Sequence, residues 1–340
     1  MPVARNAVRV AVIGVGSMGR NHARILHHMD LAELTAVVDP SEEARELVTA
    51  RSDAAGFATV GEALAHGIDA AIIATPTVLH HAIACELIEA GVHVLIEKPI
   101  TATLADAQDL MRRAERGGVV LTVGHVERFN PAIQTLHDTI AGENIISIAI
   151  SRVGPFPPRI NDVGIVTDLG VHDIDLIRWL SGSEIVEHQS LLTRSRGQHE
   201  DIAFLQFRLA NGALAHINTN WLTPFKERRI SVSTETRFIV CDMLLRTVNE
   251  YSGFAAEQSS NRLSHGSFIS RSLSVPFVEP LRAELDAFVA AIRGKAPVMV
   301  SGHDATRTLE IALECLRERP GPDQRQAPPA EERAPRVVHG

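Results

Sequence analysis

Val8-Arg9-Val10-Ala11-Val12-Ile13-Gly14-Val15-Gly16-Ser17-Met18-Gly19-Arg20 decides how the rest of the chain is read. An apolar, β-branched run ends at Gly14, and glycines follow at the spacing Gly14, Gly16, Gly19. Residues 21–29 then carry Ile25, Leu26 and Met29 near one side of a helix. Strand, tight turn and helix start are the setting in which this glycine spacing cradles a dinucleotide. Gly14 permits the turn, Gly16 lets the backbone approach a pyrophosphate, and Gly19 lets helix and strand pack closely, with Ser17 and Met18 completing the loop. The phosphates meet free N–H groups at the helix N-terminus, where the helix dipole favours negative charge. A second strand, 34–38, ends at Asp39, about 20 residues past the last glycine. A carboxylate there accepts hydrogen bonds from ribose hydroxyls and repels a 2′-phosphate, so the expected cofactor is NAD rather than NADP.

Working outward, 340 residues suit two domains, each able to bury its own core. Hydrophobic residues make up 45% of the chain and no apolar run approaches about 18 residues, so no membrane span is expected. Residues 1–7 are polar and run straight into the first strand, which leaves no room for a signal peptide. Cys85, Cys241 and Cys315 lie far apart in apolar surroundings and match no metal or redox spacing. They read as reduced core residues of a cytoplasmic protein. A net charge of −8 argues against nucleic acid as a partner. The pairs His27-His28 and His80-His81 have no ligand motif around them; they read as helix-surface or satisfied residues, and no metal is expected.

After Asp39 the chain alternates. A helix over 42–49 is capped by Ser41, a short strand falls near 57–59, and a short helix follows at 61–65. Residues 69–75 are a continuously apolar strand closed by Thr75-Pro76-Thr77, and a helix over 78–90 follows. The strand 92–96, the helix 104–116 and the strand 119–123 complete a βαβ series, which closes as a doubly wound parallel sheet with right-handed crossovers. The grammar changes near residue 125. Strands at 145–153, 202–209, 214–221 and 229–240 follow one another, with Asn211-Gly212 as a hairpin signal. One helix, 168–180, interrupts them, and two more follow near 280–292 and 303–316. The expected fold class is therefore an α/β Rossmann domain (1–125) joined to an α+β domain (126–319) whose mostly antiparallel sheet carries helices on one face. The tail 320–340, rich in Pro, Arg and Glu, reads as disordered.

Two stretches stand apart from scaffold needs. Glu97-Lys98-Pro99 sits at the carboxyl end of a central strand, where open α/β sheets bind ligands. In the helix 168–180, Asp168, His172 and Asp175 are spaced i, i+4, i+7 and share one face, in a sector that also holds Trp179. Leu169, Leu176, Ile177 and Leu180 face the sheet, and Gly170, a poor helix former, suggests close approach by another group. Oxidising a secondary alcohol needs a base for the hydroxyl proton while hydride leaves for a nicotinamide. His172 is the natural base and the Lys98 ammonium stabilises the developing alkoxide. Asp168, one turn earlier, is placed to orient the imidazole or to bind a sugar hydroxyl. Thr75, Pro76, His80 and Glu97, at the ends of the central strands, complete the expected cofactor contacts.

These features resemble the Gfo/Idh/MocA family of nicotinamide-dependent sugar oxidoreductases over nearly the whole chain. The signals are Gly14-Val15-Gly16-Ser17-Met18-Gly19, Glu97-Lys98-Pro99 and the Asp168-x-Gly170-x-His172 helix, in family order. The resemblance implies a catalytic trio of Lys98, Asp168 and His172, a Glu-Lys-Pro turn that helps position the nicotinamide, and a homo-oligomer, dimer or tetramer, built through the exposed face of the second sheet. Residues 123–131, containing Arg128 and Asn130, resemble the branch that oxidises the 3-hydroxyl of UDP-N-acetylglucosamine. Residues 152–164, containing Arg152 and Arg159, and 221–226, ending in Lys226, share that resemblance. That branch makes a 3-keto UDP-sugar for a partner aminotransferase. A nucleotide-sugar diphosphate needs cations, for which Arg152, Arg159, Lys226, Arg228 and Arg229 are candidates. An inositol or other polyol substrate, a catalytically silent NAD-binding role and a glycosidase with permanently bound NAD are the alternatives.

Overall fold

The computed structural model describes residues 7–157, 163–196, 198–253 and 268–317. Arg159 and the proposed disordered tail lie outside them. The first part of the chain runs β1 (Val8–Ile13), α1 (Ser17–Leu26), β2 (Ala32–Val38), α2 (Glu42–Thr49), β3 (Ala55–Phe57), α3 (Val60–His66) and β4 (Ala70–Ile73). It continues through α4 (His80–Glu89), β5 (His93–Glu97), α5 (Leu104–Gly117) and β6 (Leu121–Gly124). The strands form a six-stranded sheet in the order β3-β2-β1-β4-β5-β6, parallel in every pairing. This is the doubly wound dinucleotide-binding topology. The reversal of strand order between β1 and β4 opens a crevice at the carboxyl ends of the strands. The apolar runs read as buried strands because both faces of the sheet are covered. Ala11, Ile13, Ile73 and Ile96 enter one core, and Val10, Val12, Ile72 and Leu95 enter the other.

The second part runs α6 (Pro131–Ile140), β7 (Ile145–Pro155), α7 (Val171–Ser181), β8 (Ile185–Thr193), β9 (Ile202–Leu209), β10 (Leu214–Asn220), β11 (Leu222–Thr234), β12 (Arg237–Asp242), β13 (Thr247–Ser252) and β14 (Ile269–Leu273). It ends with α8 (Pro280–Ile292) and α9 (Gly302–Arg317). The eight-stranded sheet has the order β14-β13-β12-β11-β7-β10-β9-β8 and is antiparallel except where β7 meets β10. The Asn211-Gly212 turn joins β9 to β10, with Gly212 at φ 88°, a conformation glycine adopts without strain. Inward residues such as Ile148, Ile150, Leu205, Ile217, Ile230 and Val232 share one core with Ile133 of α6, Ile174 and Ile177 of α7 and Ile311 of α9. Among the described residues no helix is long and apolar enough to cross a membrane.

Several expectations are corrected. The single strand expected over 229–240 is two antiparallel strands. The turn between them lacks Gly, Pro and Asn; the Thr234 hydroxyl makes it by accepting from the N–H groups of Thr236 and Arg237 (3.4 and 3.1 Å). Strands β8, β13 and β14 and helix α6 were not expected. The signal for α6 was present, since Asn130 caps it and Pro131 opens it. Nor do all later helices cover one face of the second sheet. Leu281, Leu285, Phe288 and Val289 of α8 pack into the first-domain core beside Ala23 and Leu26 of α1. Helix α9 divides its buried face, with Ala305 and Leu309 in the first domain and Ile311 and Ala312 in the second. Ahead of α9 the chain forms an antiparallel bridge between Thr122 of β6 and Ser301, so the C-terminal segment ties the two halves together.

Candidate active site

The site is built at the carboxyl ends of β1, β4, β5 and β6. Gly14 has φ 84°, and a Cβ there would meet the Ala74 carbonyl at 2.8 Å and the Thr75 side chain at 2.9 Å. A Cβ on Gly19 would lie 1.8 Å from the Gly14 carbonyl oxygen, so only glycine closes the loop onto the helix. A Cβ on Gly16 would meet nothing within 4 Å, and no side chain caps the α1 N-terminus. An open backbone approach in front of free helix N–H groups fits a dinucleotide pyrophosphate. The Asp39 carboxylate, at the end of β2, accepts from the N–H groups of Val15 and Ser41, both at 3.0 Å. It is thereby fixed beside the glycine loop, where it retains lone pairs for ribose hydroxyls.

On the other side of the crevice, the Lys98 ammonium donates to the Asp168 carboxylate at 2.9 Å and to the Asp168 carbonyl at 2.8 Å. The Lys98–Pro99 peptide is cis. His80 is buried, with Nε2 2.9 Å from the Thr75 carbonyl and Nδ1 3.0 Å from the Pro99 carbonyl, so its ring is wedged between the loops after β4 and β5. Its place in the expected cofactor set is corrected to that of a brace behind Thr75 and Pro76. Glu97 is held from α1 by His22, whose Nε2–H donates to it at 2.7 Å.

Asp168 and His172 do not sit one above the other on a regular α-helix. Residues Val166–Gly170 form a π-helical turn that leads into α7, a feature frequent at functional sites. Asp168 turns to Lys98, and no hydrogen bond joins it to His172; the expectation that Asp168 orients the imidazole gives way to one in which it holds the lysine. A Cβ on Gly170 would make only ordinary contacts, the nearest being Val166 at 3.5 Å, so no other protein group makes the close approach expected there. Asp175 is buried behind the site and grips Arg128 through two hydrogen bonds of 2.8 and 2.7 Å. The sector expected to be shared by Asp168, His172 and Asp175 is therefore split between cleft and core. Trp179 stacks on His137 of α6, with the Arg128 guanidinium over its ring.

His172 is half-buried, and its Nδ1 has no hydrogen-bond partner among the described residues. Its ring meets that of buried His125 edge-on at 6.1 Å. Burial, then the charges of Lys98, Arg152, His125 and Arg228, hold His172 well below the usual histidine range. A neutral imidazole beside a fixed ammonium can accept a hydroxyl proton while the lysine receives the developing negative charge.

Beneath these groups lies a buried ion network that sequence reasoning missed. Arg152 of β7 donates to Glu127 (2.9 Å) and Asp173 (2.8 Å), and Arg228, its cross-strand partner on β11, reaches Glu127 at 3.2 Å. Asn130 donates to Glu127 and caps α6. Burial pushes the Asp173 carboxyl up to about 6, against the pull of Arg152. Arg128, Asn130 and Arg152, expected on substrate, are thus engaged inside the protein. Lys226 is exposed, its stem alongside Gly154. The pleat of β11 sends Arg229 to the opposite face of the sheet, where it lines a surface cavity with Phe238, Tyr251 and Phe268. Arg229 is accordingly withdrawn from the diphosphate-binding candidates. Only tertiary structure reveals the roles of Glu127, Asp173 and His125, whose sole sequence signal is charge within otherwise apolar stretches.

His81, Cys85 and Asp109 bring three ligand-type atoms within 4.8 Å of one another. The Asp109 carboxylate is already matched by Arg113 (2.6 Å), His81 (3.1 Å) and Arg112 (3.2 Å), which hold it down to about 2. It makes an ion-pair cluster between α4 and α5.

Fold and site together define an oxidoreductase that works with a bound dinucleotide. The chain belongs to the Gfo/Idh/MocA oxidoreductase family: its NAD-binding Rossmann model matches residues 8–125, and the family's C-terminal domain model matches residues 150–240. The cofactor is NAD. A UDP-N-acetylglucosamine 3-dehydrogenase from Acidithiobacillus ferrooxidans is 31% identical over 307 residues, 90% of this chain and 96% of that protein. Its crystal structure superposes with a TM-score of 0.83 over 91% of this chain and 96% of that one. An inositol 2-dehydrogenase from Leifsonia xyli is 28% identical over 91% of each protein. The WlbA dehydrogenase from Bordetella pertussis, solved with NADH and UDP-GlcNAcA, shares the fold at 23% identity, covering 92% of this chain and 96% of that one, with a TM-score of 0.75.

Proposed function

We propose that the protein oxidises a secondary alcohol of a UDP-linked sugar, with the 3-hydroxyl of UDP-N-acetylglucosamine as the substrate group and a 3-keto sugar as the product. The observation that carries this reading is Lys98, clamped by Asp168 at the carboxyl end of β5, next to a partly exposed His172 that is neutral at pH 7. Bound NAD supplies the acceptor for the hydride that leaves the carbinol carbon. His172 takes the hydroxyl proton, the Lys98 ammonium donates a hydrogen bond to the substrate oxygen as negative charge builds on it, and Asp168 keeps that ammonium aimed. The residues 14–19 and Asp39 hold the dinucleotide, with Thr75, Pro76 and Glu97 bordering it.

The UDP-sugar assignment draws support from the Acidithiobacillus relative, which matches nearly the full length, and from Arg228, a half-buried cation whose charge reaches His172 and Asp168. Lys226 and Arg228 are assigned to the diphosphate, together with Arg159 of the 152–164 stretch. The domain division at about residue 125, a homo-oligomer, a cytoplasmic location and delivery of product to an aminotransferase belong to the same reading. Apolar side chains on the outer sheet face, including Leu191, Phe204, Leu214 and Phe238, support the oligomer, and Cys85 and Cys241, outside any disulfide, suit a reducing compartment. The test is to incubate purified protein with NAD and a panel of UDP-sugars, inositols and free sugars and identify products by mass. A 3-keto product from UDP-N-acetylglucosamine supports the proposal; turnover of unactivated polyols alone overturns it. The diphosphate assignment predicts a raised KM for UDP-N-acetylglucosamine in Lys226→Ala.

A further inference from the structure

On α8, where it packs into the first-domain core, the protein holds a carboxyl group that the reaction does not use. Glu284, on α8, is 2% exposed, and neither carboxyl oxygen has a hydrogen-bond partner among the described residues. Its neighbours Leu281 and Leu285 pack in one core with Leu95, two residues before Glu97, and with Ala23, the residue after His22. Glu97 is itself buried, with one oxygen taken by His22 and the other next to Gly124. Charged groups on the surrounding elements are His22 and Arg24 of α1, Glu97 and Lys98 after β5, and His125, Glu127 and Arg128 after β6. Arg24 pairs with Glu279, Lys98 with Asp168, Glu127 with Arg152, and Arg128 with Asp175. Of these charges, the one that acts on Glu284 is that of Glu97.

An ionised carboxylate buried without a partner costs several kcal/mol, and a second carboxylate nearby adds to that cost. Two carboxyls in one site resolve this by holding one proton between them. We propose that Glu284 is an uncharged carboxylic acid whose O–H is directed to the Glu97 carboxylate, and that Glu284 and His22 together are positioning residues for Lys98, gripping its neighbour from α8 and α1. The electrostatics agree. Burial and then the Glu97 charge push Glu284 well above the usual carboxylate range. Glu97 is held low despite its burial, by the His22 hydrogen bond and by the charges of His22 and Lys98. The positioning role rests on the reading of Lys98 as a catalytic residue; the protonation state of Glu284 does not.

Two measurements on the full-length protein test this. Infrared spectra at pH 8 are expected to show a carboxylic-acid carbonyl stretch in the wild type that is absent in Glu284→Gln; a wild type without that band overturns the protonated acid. In NAD-dependent turnover, Glu284→Leu, which lacks a donor, is expected to lower kcat about tenfold or more with NAD affinity unchanged, and Glu284→Gln, which keeps one, to recover most of it. Wild-type kcat in Glu284→Leu overturns the positioning role. Should Glu284→Leu not fold, the pH profile decides: wild-type kcat is expected to fall at alkaline pH as Glu284 ionises, and that limb to be missing in Glu284→Gln. An unchanged limb overturns the role. Because the infrared result needs no substrate, failure of the UDP-sugar assignment is separable from failure of the dyad.

Discussion

Burial comes first, and then the charges of Lys98, Arg152, His125 and Arg228, in keeping the His172 imidazole free of its second proton at neutral pH. Lys98→Met removes the group that meets the developing alkoxide, and His172→Ala removes the base. Each is expected to lower kcat by about a hundredfold or more, while calorimetric NAD affinity stays within about threefold of the wild type. Retention of turnover in either variant would remove that residue from the chemistry. Asp173 provides a second measurement at this scale. Its carboxyl lies at about 6 in the folded protein, against an ordinary 3.8, so the folded state holds the proton more tightly than the unfolded one. That contribution to stability is complete below about pH 4 and is lost as pH rises through about 6, a change on the order of 3 kcal/mol. In Asp173→Asn, thermal unfolding scans are expected to lose this slope between pH 4 and 6.

The glycine loop and the start of α7 each carry glycines inside helical sequence, for different reasons. At Gly19 an added Cβ meets a backbone carbonyl oxygen at 1.8 Å, which no side-chain rotation relieves. Gly19→Ala is expected to weaken NAD binding by more than tenfold and to destabilise the first domain by about 2 kcal/mol or more, read by calorimetry and denaturant unfolding. At Gly170 the added methyl meets ordinary contacts, and alanine is the better helix former, so Gly170→Ala is expected to leave stability unchanged or raise it by up to about 1 kcal/mol. The contrast separates a glycine required by backbone approach from one tolerated beside a π-helical turn. The turn itself was not legible. The spacing of Asp168 and His172 matches a continuous helix, and the extra residue that turns Asp168 towards Lys98 has no composition signal.

The two halves of the chain are joined by more than a linker. Arg128, just after the parallel sheet, donates to Asp175 of α7 and to the carbonyl of Met299, while α8 and α9 return to cover both faces of the first sheet. Both members of the Arg128–Asp175 pair are under a tenth exposed. Removing one leaves the other charge buried and uncompensated, so Asp175→Ala is expected to cost about 3–5 kcal/mol in denaturant unfolding. Loss of cooperativity between the two halves would accompany it, read as separate tryptophan and NAD-binding transitions. Crevice geometry follows from the same contacts, since the C-terminal helices fix the angle at which His172 meets Lys98.

What the sequence determined by itself is what local rules govern. Glycine spacing, apolar runs and an acidic strand end specify the Rossmann half, and Asn211-Gly212 with alternating residues specifies the antiparallel half, because turn sterics and side-chain periodicity act over a few residues. It also supplied Lys98, Asp168 and His172. Tertiary structure alone decided their pairing, since Asp168 binds a lysine 70 residues away in place of a histidine four residues on. The same holds for Arg128, Arg152 and His80, which sequence reasoning aimed at ligands and the fold spent internally. A buried polar group takes whichever partner the packing brings within hydrogen-bond reach, and that choice is made between segments far apart in the chain.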